Sequence, residues 1–544
     1  MQINKEAKLI QYQNSNKPAI KITFPFNYDD LDHVKSIAGR RFHNEGNAKY
    51  WTCPFSIDAI ESLKFWEFNI DPELEKFLQK SKLSVNDVSA NIEIPGLQMK
   101  LYPFQKQGVS FIEAKNGRAL IGDEMGLGKT CQALAYLQLH PEKRPVVIVV
   151  PASLKLNWER EAKIWMKEPN IQILSGTKTN IPIVGEIIII NYDILPAWFG
   201  KLQEIKPQIL ITDECHYFKN SKAKRTKVVK ALGKNIPHII ALSGTPIVNR
   251  PQEILNAIQL IDSTIIGSAW GYLQRYCGAK HSRFGWDFTG ASNTEELHEK
   301  LTSTIMLRRL KKDVLQDLPD KQYSFLPIEL DNNKEYKKAE SNFIQWLKEN
   351  KGIEAARKAT GAEALTEIET LKQLAVKGKM KQAIDWIKDF IEVDGKLVVF
   401  ANHKFVIDTL MTEFRDIAVK IDGSVTGENR DKAVQEFQNN DAVKLFVGNI
   451  KAAGVGLTLT AASNVAFLEY DWVVGNHIQA EDRCHRIGQK TSVTIYYLTA
   501  INTIEEKLVK MLHKKAQVLA AVLDGVSMKE TSIFQELLEQ YETK

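Results

Sequence analysis

Gly122-Asp123-Glu124-Met125-Gly126-Leu127-Gly128-Lys129-Thr130 follows a short apolar run, Ala119 to Ile121, and precedes a helix-compatible stretch, Cys131 to Gln138. That order of strand, glycine-rich loop and helix can cradle phosphate. Gly126 and Gly128 let the backbone turn tightly, so that successive N–H groups point at phosphate oxygens. Lys129 reaches for the β- and γ-phosphates, and the Thr130 hydroxyl for Mg²⁺. The chemistry implied is the holding of a nucleoside triphosphate. Asp123 stands where strict Gly-x4-Gly-Lys-Thr spacing wants its first glycine, and a glycine-rich turn before a helix can also arise without a ligand.

Downstream, Ile209-Leu210-Ile211-Thr212 runs straight into Asp213-Glu214-Cys215-His216. Apolar and β-branched residues ending in two acids put carboxylates at the C-terminal edge of a buried strand, where open α/β sheets bind ligands. Asp213 is suited to hold Mg²⁺ through water, and Glu214 to orient and deprotonate an attacking water. An exposed Asp-Glu turn is the plainer reading of the pair alone; the upstream phosphate loop weighs against it. Leu242-Ser243-Gly244-Thr245-Pro246 ends a further run with small hydroxyls able to sense a γ-phosphate, and the same residues also cap helices well. Gln105, about one helix before the loop, has an amide able to read adenine's donor–acceptor edge.

The second half carries its own set. Gly454-Val455-Gly456-Leu457-Thr458-Leu459-Thr460 is a Gly/Thr loop able to approach a phosphate backbone. In Gln479-Ala480-Glu481-Asp482-Arg483-Cys484-His485-Arg486 the arginines are spaced i, i+3, so on a helix they share a face. Two guanidinium groups there can grip a γ-phosphate, as arginine fingers do. Taken alone, an Arg-rich helix is more often a solvated, salt-bridged surface.

These residues need elements to position them. From about residue 100, β-branched runs alternate with helix-length amphipathic segments: Val146–Val150, Ile187–Ile190, Ile209–Thr212 and Ile239–Leu242. The rhythm predicts parallel strands with crossover helices. Residues 250–390 lose it, and Lys334 to Ile391 reads as helix. It returns at Lys396–Ala401, Lys444–Asn449, Val465–Tyr470 and Val493–Leu498, with a helical tail after 503. An apolar share of 44% and a charged share of 25% are those of a globular protein with ample core. The net charge of +6, from 72 basic and 66 acidic residues, permits nucleic acid without requiring it. Cys53, Cys131, Cys215, Cys277 and Cys484 have neither C-x-x-C nor zinc spacing, so reduced structural thiols are expected. Met1 to Lys8 is too polar for a secretory leader, and no apolar run approaches the roughly 20 residues of a membrane span.

Gln105, GDEMGLGKT, DECH, LSGTP, GVGLTLT and QAEDRCHRIGQ in one chain, in this order, resemble superfamily-two helicases and, within them, the Swi/Snf-type DNA translocases. Leu307-Arg308-Arg309-Leu310-Lys311-Lys312-Asp313-Val314, Ile421-Asp422-Gly423-Ser424 and the closing His-Arg-Ile-Gly-Gln are typical of that family, as is Asp123 in the first-glycine position. The resemblance covers about residues 95–510. It implies an α/β chain of two RecA-like parallel-sheet domains with helical insertions, preceded by a small α+β domain. It implies ATP and Mg²⁺ as cofactors. Lys129, Thr130, Asp213 and Glu214 lie on one side of the nucleotide and Arg483 and Arg486 on the other, with Gly456 and Gln479 counted in the nucleotide set. Trp472-Val473-Val474 departs from the family's Trp-Asn-Pro and touches a loop shape only.

The implied activity is ATP-dependent translocation on double-stranded DNA, remodelling or reannealing branched DNA. The rivals are an RNA helicase of the same superfamily, a remodeller of protein–DNA complexes and a binding module without catalysis. The N-terminal segment resembles the HARP domain of annealing helicases, through Arg40-Arg41-Phe42 and Lys49-Tyr50-Trp51-Thr52-Cys53-Pro54-Phe55, with Asp29 and Asp30 capping a helix from Leu31 to Ile37. Aromatics interleaved with cations suit unpaired bases beside phosphates, while Phe42, Trp51 and Phe55 read better as a small core. Arg40, Arg41, Lys49, Ser153, Thr245, His403, Lys404, Ser424 and Thr458 are the candidate DNA contacts. The expected domains are 1–92 (HARP-like), 93–264 (first RecA-like), 265–385 (helical protrusions and linker), 386–502 (second RecA-like) and 503–544 (helical brace). A cytoplasmic monomer is expected in a bacterial or phage setting, and a nuclear one in a eukaryote, with replication and repair proteins as partners.

Overall fold

The structure is a computed structural model, and it describes the chain apart from residues 1–4, 12–17, 46–47, 83–87, 245–250, 283–284, 289, 316–317, 319, 350–355, 426, 455 and 524–544. Two compact units divide it, one built mainly from Met1–Glu124 and Gly128–Arg309, the other mainly from Leu310–Ala520.

The first unit opens with β1 (Glu6–Gln11), β2 (Pro18–Thr23), β3 (Arg41–Glu45), β4 (Ala48–Pro54) and β5 (Asn69–Ile70), in spatial order β3-β4-β2-β1-β5. Ala7, Ile20 and Ile22 of this sheet are buried with Val34, Ile60 and Leu63 of its helices. The helix expected from Leu31 runs from Tyr28 to Ser36, and its cap is Asn27, whose Oδ1 accepts from the Asp29 N–H at 2.9 Å. Asp30 is instead buried and pairs with Lys5 at 2.5 Å. Nor do the aromatics form one core: Phe42 is 53% exposed, tilted against Trp51 at 5.2 Å.

The main sheet of this unit holds β6 (Arg118–Ile121), β7 (Val146–Val150), β8 (Ile171–Ile173), β9 (Ile187–Asn191), β10 (Ile209–Asp213) and β11 (His238–Leu242). A hairpin of β12 (Lys280–Ser282) and β13 (Gly285–Asp287) precedes β14 (Met306–Leu307), which closes the sheet in the order β14-β6-β11-β10-β7-β9-β8. All its pairings are parallel. β7, β9 and β10 are buried throughout, which is why they read as unbroken aliphatic runs rather than alternating ones. The small sheet is anchored to the helical insert of the same unit: the Ile57 N–H donates to the Thr264 carbonyl at 2.7 Å, and Asp58 pairs with Lys300.

The second unit has β15 (Lys321–Ile328), β16 (Leu397–Ala401), β17 (Ala418–Ile421), β18 (Leu445–Asn449), β19 (Asn464–Phe467) and β20 (Val493–Ala500), a parallel sheet in the order β15-β20-β19-β16-β18-β17. β15 corrects the reading of 250–390 as free of strands. Its residues alternate across an edge position, and half-exposed Tyr323 and Phe325 disguised it as linker. The helices Asn333–Glu349 and Ala356–Asp394 bear out the helical stretch, and Val376, Ala383 and Ile387 of the second pack onto this sheet.

Candidate nucleotide site

The phosphate loop leaves the buried strand β6 and enters the helix Lys129–Leu139. Gly126 and Gly128 have φ of +85° and +79°, a region that Cβ-bearing residues avoid. Gly128 caps the helix from this left-handed conformation, so the first free N–H groups of the helix point into the loop. Lys129 Nζ donates to the Asp123 and Glu124 carbonyls at 2.8 and 3.3 Å. Burial lowers the Lys129 pKa, against the upward pull of Glu214, Asp123 and Asp213. Gln105 is buried, its Oε1 accepting from the Tyr102 N–H at 3.0 Å. Its amide nitrogen lies where a Cβ on Gly128 would come within 2.5 Å, so loop and glutamine are packed together.

Asp123 has a structural reason to be there. It is 0% exposed, and its carboxylate accepts from Arg309 Nε at 3.0 Å, Arg309 Nη2 at 2.5 Å and Gln132 Nε2 at 3.0 Å. The fork is bidentate, the strongest form of such a pair. Arg309 also donates to the Phe104 carbonyl and, at 3.2 Å, to Gln132 Oε1. Its neighbour Arg308 donates to the carbonyls of Gly122 and Gly244, at 2.8 and 3.4 Å. β14 brings both arginines to the loop, for the Gly122 N–H donates to the Leu307 carbonyl at 2.7 Å. Sequence reasoning had these arginines only as a family signature.

At the end of β10, Asp213 and Glu214 are both buried. Asp213 Oδ2 accepts from the indole N–H of buried Trp158 at 2.8 Å, and its main-chain carbonyl accepts from the Tyr192 hydroxyl at 2.7 Å. Burial, then the Glu214 charge, pushes the Asp213 pKa up, while Trp158 and Lys129 oppose the rise. Glu214 has φ of +49°, a conformation that costs a non-glycine residue about 1–3 kcal/mol and is kept where it aims a functional group. His216 Nδ1 lies 3.3 Å from its carboxylate. The hard oxygens of Asp213 and Thr130 fit the few protein ligands that Mg²⁺ takes beside phosphate. Among the described residues no three His, Cys, Asp or Glu side chains are placed to hold a metal by themselves. Ser243 and Gly244 follow β11, while Thr245 lies outside the described residues.

In the second unit, the expectation that Arg483 and Arg486 share a helical face is corrected. The helix Val474–Glu481 ends before them, and both lie in turns. They converge nonetheless: Nη1 of each donates to the Leu457 carbonyl, at 3.3 and 3.0 Å, and Arg486 Nη1 also meets Thr458 Oγ1 at 2.9 Å. Arg483 Nε donates to the carbonyl of buried Gln479 at 2.8 Å. Gly456, with φ of +73°, turns the chain into that segment. A buried charge cluster fixes the turns. Asp482 pairs with Lys311 and Lys321, both at 2.8 Å, Lys321 reaches Glu481 at 2.9 Å, and Lys311 donates to the His485 carbonyl at 2.5 Å. Burial alone would raise the Asp482 pKa; the two ammonium groups hold it far below the usual carboxylate range. At the Trp-Val-Val departure, Trp472 donates to Glu369 at 2.9 Å and the Val473 N–H to Asp471 Oδ1 at 2.9 Å, so the turn is held without Asn-Pro.

The remaining candidates are dispersed. Arg40, Arg41 and Lys49 are exposed around β3 and β4, and Ser153 is exposed in a short turn after β7. His403 is tied to buried Glu469, which also accepts from its main-chain N–H at 2.8 Å, while Lys404 is exposed. Ser424 donates to Asp422 at 2.5 Å. All five cysteines are buried and free.

One unit thus carries a parallel sheet with a glycine-rich loop and an Asp-Glu strand end, and the other a parallel sheet with an arginine turn. The chain matches the SNF2-related domain over residues 104–380 and the helicase conserved C-terminal domain over residues 378–488. It belongs to the SNF2-related family. It is 35% identical over 445 residues to the human DNA annealing helicase and endonuclease ZRANB3, a match covering 79% of this chain and 41% of that protein. It is 33% identical over 527 residues to the Caenorhabditis elegans SWI/SNF-related matrix-associated actin-dependent regulator of chromatin subfamily A-like protein 1 homolog, covering 92% and 74%. The chain thus spans about two fifths of the ZRANB3 relatives. Among solved structures, the Sulfolobus solfataricus SWI2/SNF2 ATPase core in complex with double-stranded DNA is similar at 25% identity, covering 80% of this chain and 95% of that one with a TM-score of 0.40. Among the described residues no helix is long and apolar enough to cross a membrane.

Proposed function

We propose that this chain is a DNA-stimulated ATPase that uses hydrolysis to travel along double-stranded DNA, and that its substrate is branched or partly unwound DNA, which it rewinds. The observation that supports the reading is the placement of the candidate residues in an SNF2-related chain: Lys129, Asp213 and Glu214 near one loop, and Arg483 and Arg486 converging on Leu457. The names of the relatives, annealing helicases among them, support the choice of DNA and of branched structures.

In this mechanism the loop N–H groups and Lys129 bind the phosphates, and Gln105 borders the base. Thr130 and Asp213 would hold Mg²⁺, which would supply charge neutralisation at the phosphates. Glu214 takes the proton of the attacking water, its aim set by the backbone turn after β10. Arg483 and Arg486 supply positive charge as the γ-phosphate leaves. Ser153, Thr245, His403, Lys404, Ser424 and Thr458 are proposed to follow the DNA backbone, and Arg40, Arg41 and Lys49 to meet it at the N-terminal sheet.

The test is ATP hydrolysis with no nucleic acid, duplex DNA, forked DNA or RNA. Duplex or forked DNA should stimulate strongly and RNA weakly; the reverse order would favour an RNA helicase and overturn the proposal. Glu214→Gln should cut stimulated turnover by about 10²-fold or more, the scale of general-base loss, while ATP still binds. Persistence of DNA-stimulated hydrolysis would remove Glu214 from the role.

A further inference from the structure

The helical insert of the first unit carries an aromatic cluster that ATP chemistry does not use. Trp286 of β13 and Phe288 just after it have ring planes 6° apart with centroids 6.0 Å apart. Residues two apart on extended chain share a face, and the two rings stack there, nearly parallel. Trp270, in the helix Ala269–Tyr276, stands edge-on to both at 5.5 and 5.3 Å. His281, which faces Trp286 across the hairpin, adds a ring at 5.1 Å. Trp270 and Trp286 are 47% and 45% exposed. The rings therefore brace one another and still present area to solvent, the mark of a binding surface rather than a core.

The helix that carries Trp270 packs against the chain segment that leads to Arg40 and Arg41. Gly271, next to Trp270, lies so close to the N-terminal sheet domain that a Cβ on it would stand 3.2 Å from the Ala38 Cβ. Two residues beyond Ala38 come exposed Arg40 and Arg41, followed by exposed Phe42. The acid nearest in sequence, Asp287, alternates to the opposite face of β13 from Trp286 and is in register with Lys280. Stacking surfaces beside guanidinium groups are what unpaired nucleotides need: a π-face for each base and a cation for each phosphate.

We infer that Trp270, Trp286 and Phe288 form a stacking platform for unpaired bases, with Arg40 and Arg41 holding the adjoining phosphates. The inference deepens the DNA-motor reading and rests on it for the source of the single strand, the open arm of a branch. Its test is fluorescence anisotropy of the full chain with labelled oligothymidylate and with an abasic strand of equal length. Trp286→Ala and Trp270→Ala should each weaken oligothymidylate binding by about fivefold or more, the scale of one lost base stack. Abasic binding should not change, and Trp286→Phe should retain most of the affinity. Arg40→Ala with Arg41→Ala should weaken both strands. Oligothymidylate binding equal to wild type in both tryptophan variants overturns the platform, as does an equal loss on the abasic strand. Duplex-stimulated ATP hydrolysis, measured alongside, should be unchanged in the tryptophan variants. Its absence from the wild-type chain would sink the motor reading while leaving the base-dependent binding difference to stand or fall by itself.

Discussion

Replacing Arg309 by Leu should leave Asp123 as a buried carboxylate without its counter-charge. In the structure that carboxylate has no exposed surface and receives three hydrogen bonds, two of them from Arg309. Losing one partner of such a pair costs about 3–5 kcal/mol, because the remaining charge cannot be rehydrated in place. Removing both charges is different. In Asp123→Gly with Arg309→Leu, the loop takes the strict glycine spacing and no ion is stranded, so most of the loss should be recovered. The pair therefore makes a double-mutant cycle with a coupling energy of about 2–3 kcal/mol. With two units in the chain, one global unfolding transition is not assured. Hydrogen exchange of the β6 and β11 amides under native conditions reads the unit concerned. Nucleotide affinity, measured with a fluorescent ATP analogue, reads the loop. Arg309→Leu should raise exchange in β6 and weaken nucleotide binding together, and the double variant should reverse both. A single variant that shifts β6 exchange by less than about 1 kcal/mol, or a double variant no better than the single one, would refute the claim that Asp123 is held by this clamp.

Three further outcomes follow from the same geometry. Trp158→Phe removes the indole donor to Asp213; with Asp213 in its proposed metal-holding role, about tenfold more Mg²⁺ should be needed for half-maximal hydrolysis, and an unchanged Mg²⁺ titration would remove Trp158 from its support. In Gly108→Ala the new Cβ would stand 1.8 Å from Gln132 Oε1, so Gln132 must leave Asp123 and Arg309. The expected loss of about 1–3 kcal/mol, read by exchange in β6, should shrink when Gln132→Ala is added. Asp482 is an acid with a depressed pKa, so its stabilisation is present above the ordinary carboxylate range, near pH 4, and is lost as pH falls below it. The stability gap between wild type and Asp482→Asn should narrow below about pH 4, and a gap that stays constant there would contradict the ion cluster.

The loop, the carboxylate pair and the aliphatic strands were legible because each is a local pattern: glycine spacing, an acid at a strand end, an unbroken β-branched run. Arg309 was not, because its partner lies 186 residues away and its meaning depends on β14, a two-residue strand no periodicity can announce. Trp158 was hidden for the same reason, since nothing near it in the chain marks a partner 55 residues on. The arginine turn shows the opposite failure. The i, i+3 spacing was read as helix, yet Asp482 and His485 are drawn into the buried cluster around Lys311, and that tertiary demand ends the helix at Glu481. The two arginines meet because Leu457 offers one carbonyl to both. β15 escaped for a milder reason: an edge strand shows half its aromatics to solvent, and Pro327 reads as a breaker, although a proline is tolerated at an edge.

These long-range pairs also give the junction of the two units a physical character. Arg309 is the last residue of the first unit's main segment, and Leu310 opens that of the second. Arg309 is clamped by the phosphate loop of its own unit through Asp123, and Lys311 by the arginine turn of its own unit through Asp482. A single leucine thus separates two side chains, each buried in an ion pair with a loop of its own unit. Buried charges cannot leave their partners without a penalty of several kcal/mol, so Arg309 and Lys311 each hold a loop of their own unit in place.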